Sequence, residues 1–338
     1  MRQPGWWYDP EPRLAARLLA PLGLAYAGAT AWRLSRATPD HAGVPVICVG
    51  NLDAGGTGKT PVTIALAERL SGRGVPVHVV SRGYGGRLAG PERVLPSHGA
   101  ADVGDEPLLI SAFVPTWVAR DRAAGVRAAA AAGARAVILD DGFQNPSVRK
   151  DLSIVVVDAA RGWGNGRAIP AGPLRESVAA GLARADAVIS LGEEVAQDVF
   201  RARWGSALRS LPHLRGALRP LPTGMPWAGL RALAFAGIGQ PGKFFATLKG
   251  LGAEIVATRS FDDHEPLSRP LLQRLEADAA RLGAQLVTTE KDAVRLPPSM
   301  RARVLTLPVR LHLESWDPLD ARLDRLGLGQ SQGEPRQP

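Results

Sequence analysis

Apolar residues in this chain gather into short, β-branched runs separated by stretches of helical period. Val44–Val49, Val75–Val80, Ala136–Leu139, Leu152–Val157 and Ala187–Leu191 are such runs and predict strands. Pro61–Leu70 and the alanine-rich Arg122–Ala132 lie between them and predict helices. Apolar strands alternating with helices predict a parallel sheet covered on both faces. From Leu211 to Trp227 the pattern is broken by Pro212, Pro220, Pro222 and Pro226, which predicts a linker. A second α/β unit is expected beyond it, with strands Arg231–Ala236, Ala253–Thr258 and Gln285–Thr288 and helices Lys243–Leu251 and Leu271–Leu282. The polar tail from Gly327 predicts disorder. The expected organisation is an N-terminal region at 1–36, a core at 37–222, a smaller α/β domain at 223–326 and a tail at 327–338.

The first 36 residues have a different texture. Residues 1–12 are rich in aromatics and proline, and a helix-like stretch, Arg13–Arg36, follows. Arg13 and Arg17 precede its apolar run, Arg33 and Arg36 follow it, and Tyr26 and Trp32 lie towards its end. Such a segment fits a helix lying in a membrane interface, where amphipathic aromatics and cations face the headgroups. A buried globular helix is a second reading. A signal peptide is a third, because Ala29-Thr30-Ala31 resembles a cleavage site. The longest charge-free apolar run, Leu18–Trp32, has 15 residues. A spanning helix needs about 20, so a polytopic membrane protein is excluded.

Composition adds constraints rather than a function. Of 338 residues, 41 are basic and 32 acidic, for a formal charge of +9. That balance suits an anionic partner, whether phosphorylated lipid, membrane surface or nucleic acid. No base-reading motif is present, so no nucleic-acid partner is expected. The single cysteine, Cys48, excludes a disulfide framework and a multi-cysteine metal site.

The strongest chemical signal is Val46-Ile-Cys-Val-Gly-Asn-Leu-Asp-Ala-Gly-Gly-Thr-Gly-Lys59-Thr60-Pro61, a strand, a glycine-rich turn and a helix start. Gly55, Gly56, Thr57 and Gly58 would let successive backbone N–H groups point at phosphate oxygens, aided by the helix N-terminus. Lys59 can reach the β- and γ-phosphates, and the Thr60 hydroxyl can bind Mg²⁺. Asp53 stands where this kind of loop usually has its first glycine, so the match is partial. Ala54 stands where partitioning-type ATPases carry an extra lysine, which argues against that class.

Several carboxylates sit where such a loop would need them. Asp140-Asp141-Gly142-Phe-Gln144 ends an apolar strand, and the carboxyl ends of parallel strands are where open α/β sheets bind ligands. One of these carboxylates could hold Mg²⁺, or the pair could simply shape a turn. Gly104-Asp105-Glu106-Pro107 reads either as helix capping or as a base, Asp105, beside a metal-placing Glu106. Asp263-His264-Glu265 places a histidine between acids that would raise its pKa and orient its ring. Ser81-Arg-Gly-Tyr-Gly-Gly86 and Ala171-Gly-Pro-Leu-Arg175-Glu176 are loops that could bind phosphate or be plain turns. The chemistry of Thr288-Thr-Glu-Lys291-Asp292 is undetermined by its local pattern.

In their order, these segments resemble the tetraacyldisaccharide 4′-kinases, the lipid A 4′-kinases of Gram-negative bacteria. The resemblance spans residues 44–296 and includes Ala236-Gly-Ile-Gly-Gln-Pro-Gly-Lys-Phe-Phe245, with the Pro21-Leu-Gly-Leu-Ala-Tyr26 helix also alike. It implies ATP- and Mg²⁺-dependent phosphorylation of the 4′-hydroxyl of an acylated glucosamine disaccharide 1-phosphate. The product would be lipid IVA, on the way to lipopolysaccharide. It implies a phosphate-loop NTPase-like parallel sheet flanked by helices, a smaller α/β domain and an N-terminal membrane-associating helix. It also implies that Asp105 and His264 form the proton-accepting pair. Lys59, Thr60, Glu106, Asp140 and Asp141 would surround nucleotide and metal, with Arg122 and Arg175 near the phosphates. The expected setting is the cytoplasmic face of the inner membrane, with a peripheral or monotopic monomer on an anionic membrane surface. Asn145 stands where the family usually has histidine, and an amide cannot take a proton at neutral pH.

Overall fold

The computed structural model describes residues 3–9, 13–209, 211–263 and 265–329. Along the chain the strands are β1 (Val46–Gly50), β2 (Val77–Ser81), β3 (Glu92–Arg93), β4 (Thr116–Val118), β5 (Ala136–Asp140), β6 (Leu152–Asp158), β7 (Ala187–Leu191), β8 (His213–Pro220), β9 (Arg231–Ala236), β10 (Glu254–Ser260), β11 (Gln285–Thr289), β12 (Leu305–Leu307) and β13 (Val309–Leu313). Among the described residues they form two sheets, ordered β13-β8-β7-β6-β1-β5-β2-β4-β3 and β10-β9-β11-β12. All neighbours run parallel except β3 with β4 and β13 with β8.

The central strands are buried on both sides, which explains their unbroken apolar runs. Successive side chains point to opposite faces. Ile47 and Val49 therefore join one core with Leu66 and Leu70 of the helix Lys59–Gly72. Val46 and Cys48 join the other, with Val126 and Ala129 of the helix Arg122–Ala131. The smaller sheet repeats the plan. Ala232 and Ala234 pack on Phe244 and Leu248 on one side, while Leu233 and Phe235 pack on Leu272 and Leu275 on the other.

Three expectations of organisation change. The proline-rich segment expected as a linker contains β8, paired with β7 on one side and β13 on the other. Pro212 precedes that strand and Pro220 closes it, so no ladder position inside is lost. The chain also leaves the second unit before residue 326. After β12 it returns as β13, and the helix Asp317–Arg325 buries Leu319 and Leu323 in the main core. Arg69 and Arg73 hold Asp320 of this helix from the helix Lys59–Gly72. The tail begins ordered, since Leu328 is buried and its carbonyl accepts from Arg73. Residues 330–338 lie outside the described residues.

At the N-terminal end, the helices Leu14–Leu18 and Ala20–Ser35 turn their small residues inward. Ala16, Gly23 and Thr30 are buried, and a Cβ at Gly23 would come within 2.7 Å of the Ala168 carbonyl oxygen. The large residues face out, with Leu14 and Leu18 each 71% exposed and Leu24 75%. The buried-helix reading therefore fails for this face. Among the described residues, no helix is long and apolar enough to cross a membrane.

Candidate active site

The site lies at the carboxyl ends of β1, β5 and β2, where the strand order places β1 between β5 and β6. Parallel pairing sets Val49 beside Asp140, so the acidic pair emerges next to the loop that leaves β1. Gly50 is required at that exit. A Cβ there would stand 2.4 Å from Phe143 Cβ, in the turn that follows the pair. The loop closes on itself through Asn51 Nδ2, which donates to the Gly55 carbonyl at 2.9 Å. Gly58 then caps the helix Lys59–Gly72 in a left-handed conformation, φ 89°, that side-chain-bearing residues rarely adopt.

Each member of the acidic pair has its own surroundings. Asp140 is buried and accepts from Thr63 Oγ1 at 3.3 Å and Ser81 Oγ at 3.2 Å. Burial, with Asp141 adding to it, raises its pKa above the usual carboxylate range. Asp141 adopts a left-handed φ of 52° and has different partners. Arg175 Nη1 reaches its Oδ1 at 3.2 Å and Lys59 Nζ lies 3.6 Å from the same atom. Although burial opposes it, these two cations hold Asp141 below its ordinary pKa. Gln144 completes the cluster by donating to the Asn51 carbonyl at 2.8 Å and accepting from Arg175 at 3.2 Å.

Asp105 and Glu106 begin the helix Asp105–Ile110, beside the loop after β2. Lys291 from the smaller unit meets them, 2.7 Å from Glu106 Oε1 and 3.8 Å from Asp105 Oδ2. Its ammonium also lies 3.2 Å from Asp263 Oδ1. Burial would lower the lysine pKa, but these carboxylates outweigh it and raise it. His264 lies outside the described residues. A second tie between the units is Asp158, at the end of β6, which accepts from Lys243 Nζ at 2.7 Å and from Gln240 Nε2.

The remaining expected residues divide. Lys59, Thr60 and the glycines at 55, 56 and 58 form the loop and helix start together with Thr57. Arg175 sits on Asp141, and Arg122 is buried, donates to the Ala119 carbonyl at 2.6 Å and lies close enough for its charge to act on Asp140 and Asp141. Asn145 is occupied locally, its Oδ1 accepting from the Ser147 amide and hydroxyl. Some neighbours of the loop carried no signal in the pattern. Gln3, Tyr8 and Arg161 gather beside it, with the guanidinium 4.7 Å from the Tyr8 ring and Tyr8 Oη donating to Gln3 at 2.6 Å. Only folding brings residues 3–8 and 161 to Gly55, so spacing along the chain could not reveal them. Glu176 was legible as part of a loop, but not its burial between Gln144 and Arg184.

The cradle fits an anionic nucleotide. Thr57 Oγ1 is buried with no protein partner, and a Cβ at Gly56 would meet nothing within 4 Å. Lys59 and Arg175 both converge on Asp141 beside the cradle. The donor set also fits Mg²⁺, which needs one or two carboxylates when phosphates supply its other ligands. Among the described residues no group of three or more His, Cys, Asp and Glu could hold a metal alone.

The family model for tetraacyldisaccharide-1-P 4′-kinase, LpxK, matches residues 15–327. The chain belongs to this family. A tetraacyldisaccharide 4′-kinase from Dinoroseobacter shibae is 63% identical over 96% of this chain and 98% of its own length. Another, from Rhodospirillum rubrum, is 51% identical over 97% of this chain and 99% of its own. Among solved structures, LpxK from Aquifex aeolicus in complex with ATP is 27% identical, with a TM-score of 0.77. The match covers 93% of this chain and 99% of that one. The matched range spans both sheets and the return strand.

Proposed function

We infer that this chain transfers the γ-phosphoryl group of ATP to the 4′-hydroxyl of tetraacyldisaccharide 1-phosphate, forming lipid IVA for lipid A. The observation that carries this reading is the convergence of Lys59 and Arg175 on Asp141 at the mouth of the glycine cradle, in a member of the kinase family. Phosphoryl transfer asks chiefly for positioning and charge stabilisation. The cradle amides and Lys59 would hold the phosphates, and Arg175 would neutralise charge on the transferred group. Thr60, Asp140 and Glu106 would hold Mg²⁺. The ion would supply positive charge to the phosphate oxygens.

Asp105 would accept the proton of the attacking hydroxyl, with His264 orienting it, as the new P–O bond forms and the β–γ bridge breaks. Such a base is typically worth about 10²–10⁴-fold. Burial of Asp105 keeps its carboxylate away from competing water. The acceptor would enter between the two units, which Lys291 and Asp158 tie together on either side.

The lipid would be met at a membrane surface. The outward face of Leu14, Leu18, Leu22, Leu24 and Trp32, with Arg13, Arg17, Arg33 and Arg36 nearby, suits a peripheral helix on anionic lipid. Its last turn touches the site, since Arg33 donates to the Gln144 carbonyl. On this reading the enzyme would work as a peripheral monomer at the cytoplasmic face of the inner membrane. The test is transfer of label from γ-labelled ATP to tetraacyldisaccharide 1-phosphate. Lipid-dependent labelling that Lys59→Met lowers by about 10³-fold supports it. Acceptor-independent ATP hydrolysis alone would refute it.

A further inference from the structure

The end of β11 and the segment that follows it are anchored at almost every residue. Thr288 Oγ1 donates to the Phe235 carbonyl at 2.8 Å, and Thr289 Oγ1 accepts from the Asp292 amide at 3.1 Å. Glu290 accepts from Arg310 Nη1 at 2.9 Å and from the Val309 amide at 3.1 Å, both on the return strand. Asp292, fully buried, accepts from the Gly237 amide at the end of β9. The backbone under Lys291 is thereby pinned to both sheets. From that mount its ammonium reaches Glu106 and Asp105 of the main unit and Asp263 of the smaller one.

We propose that Lys291 is a positioning residue for phosphoryl transfer, setting the placement of Asp105 and Glu106 and locking the smaller unit across the cleft. The proposal rests on the reading of Asp105 and Glu106 given above. Lysine suits the place because its compact ammonium has rotatable donors that bond Glu106 and Asp263 while the charge stays within ion-pair distance of Asp105. Removing the charge would take away a cation that carboxylates of both units share. The two units would be held together less firmly and Asp105 placed less precisely. Arginine keeps the charge, but its planar fork serves two carboxylates better than three.

The test compares Lys291→Met, Lys291→Arg, Asp263→Asn and Asp105→Asn in the full-length enzyme, measuring kcat, KM for ATP and melting temperature. Lys291→Met should lower kcat by about 10²-fold, the size expected when reacting groups are displaced by an ångström. Its KM for ATP should stay within about threefold, because the phosphate cradle is untouched. Lys291→Arg should recover about tenfold of that loss. Asp263→Asn should add little to Lys291→Met, since both break one interaction. A Lys291→Met enzyme within about threefold of normal kcat, beside an inactive Asp105→Asn, would overturn this proposal alone. Equal losses in the Met and Arg variants, with equal falls in melting temperature, would also overturn it, because charge would then be irrelevant. A fully active Asp105→Asn would instead overturn the reading of Asp105.

Discussion

Asp53 offers the sharpest electrostatic test of the phosphate loop. It occupies the place where such loops usually carry glycine, and it is buried with neither carboxylate oxygen hydrogen-bonded to protein. Burial pushes its pKa up to about 7, against the pull of Lys59 and Arg175. In the unfolded chain it ionises near 3.8. Between about pH 4 and pH 7 the unfolded state has therefore lost a proton that the folded state retains. Stability must fall with rising pH through that window and level off above it. A shift of about three units at about 1.36 kcal/mol each sets the loss near 4 kcal/mol.

Asp53→Asn keeps the shape and removes the titration. The variant and the parent should differ by a constant amount at or below pH 4. The variant should gain on the parent up to pH 7, by on the order of 4 kcal/mol or several degrees of melting temperature. Paired thermal melts from pH 4 to 8 measure that difference directly. A difference that stays flat across the range would show that Asp53 is ionised at all these pH values. The account of its burial would then be wrong.

Changing Leu18, Leu22 and Leu24 together to Glu should leave ATP binding intact, because these side chains point outward. It should weaken partition onto anionic vesicles by at least about tenfold, given roughly 1.5–3 kcal/mol per buried leucine; unchanged vesicle binding in a flotation assay would remove this face from the membrane reading. Leu319→Ala should destabilise the main sheet by about 2–5 kcal/mol in denaturant titration, although it lies after the second unit in sequence. A loss under about 0.5 kcal/mol would show that the return helix contributes no core packing.

The sequence by itself determined the elements whose causes are local. Fully apolar strands such as Val46–Val49 and Leu152–Val157 must be covered on both faces, and the turn from Gly55 to Thr60 carries a glycine pattern that suits phosphate. The order of motifs was enough to place the chain in its kinase family. Tertiary structure decided what depends on distant partners. Pro212 and Pro220 marked a linker only until β13 supplied a neighbour from about ninety residues later. Leu328 looked like part of a polar tail because the groove that buries it is built by other helices. The split between Asp140, held by neutral hydroxyls, and Asp141, held by Lys59 and Arg175, required four elements to meet. Lys291 is the clearest case. Its charge is plain in the sequence, but the three carboxylates that give it a role come from positions 105, 106 and 263, and only the packing of two sheets brings them within reach.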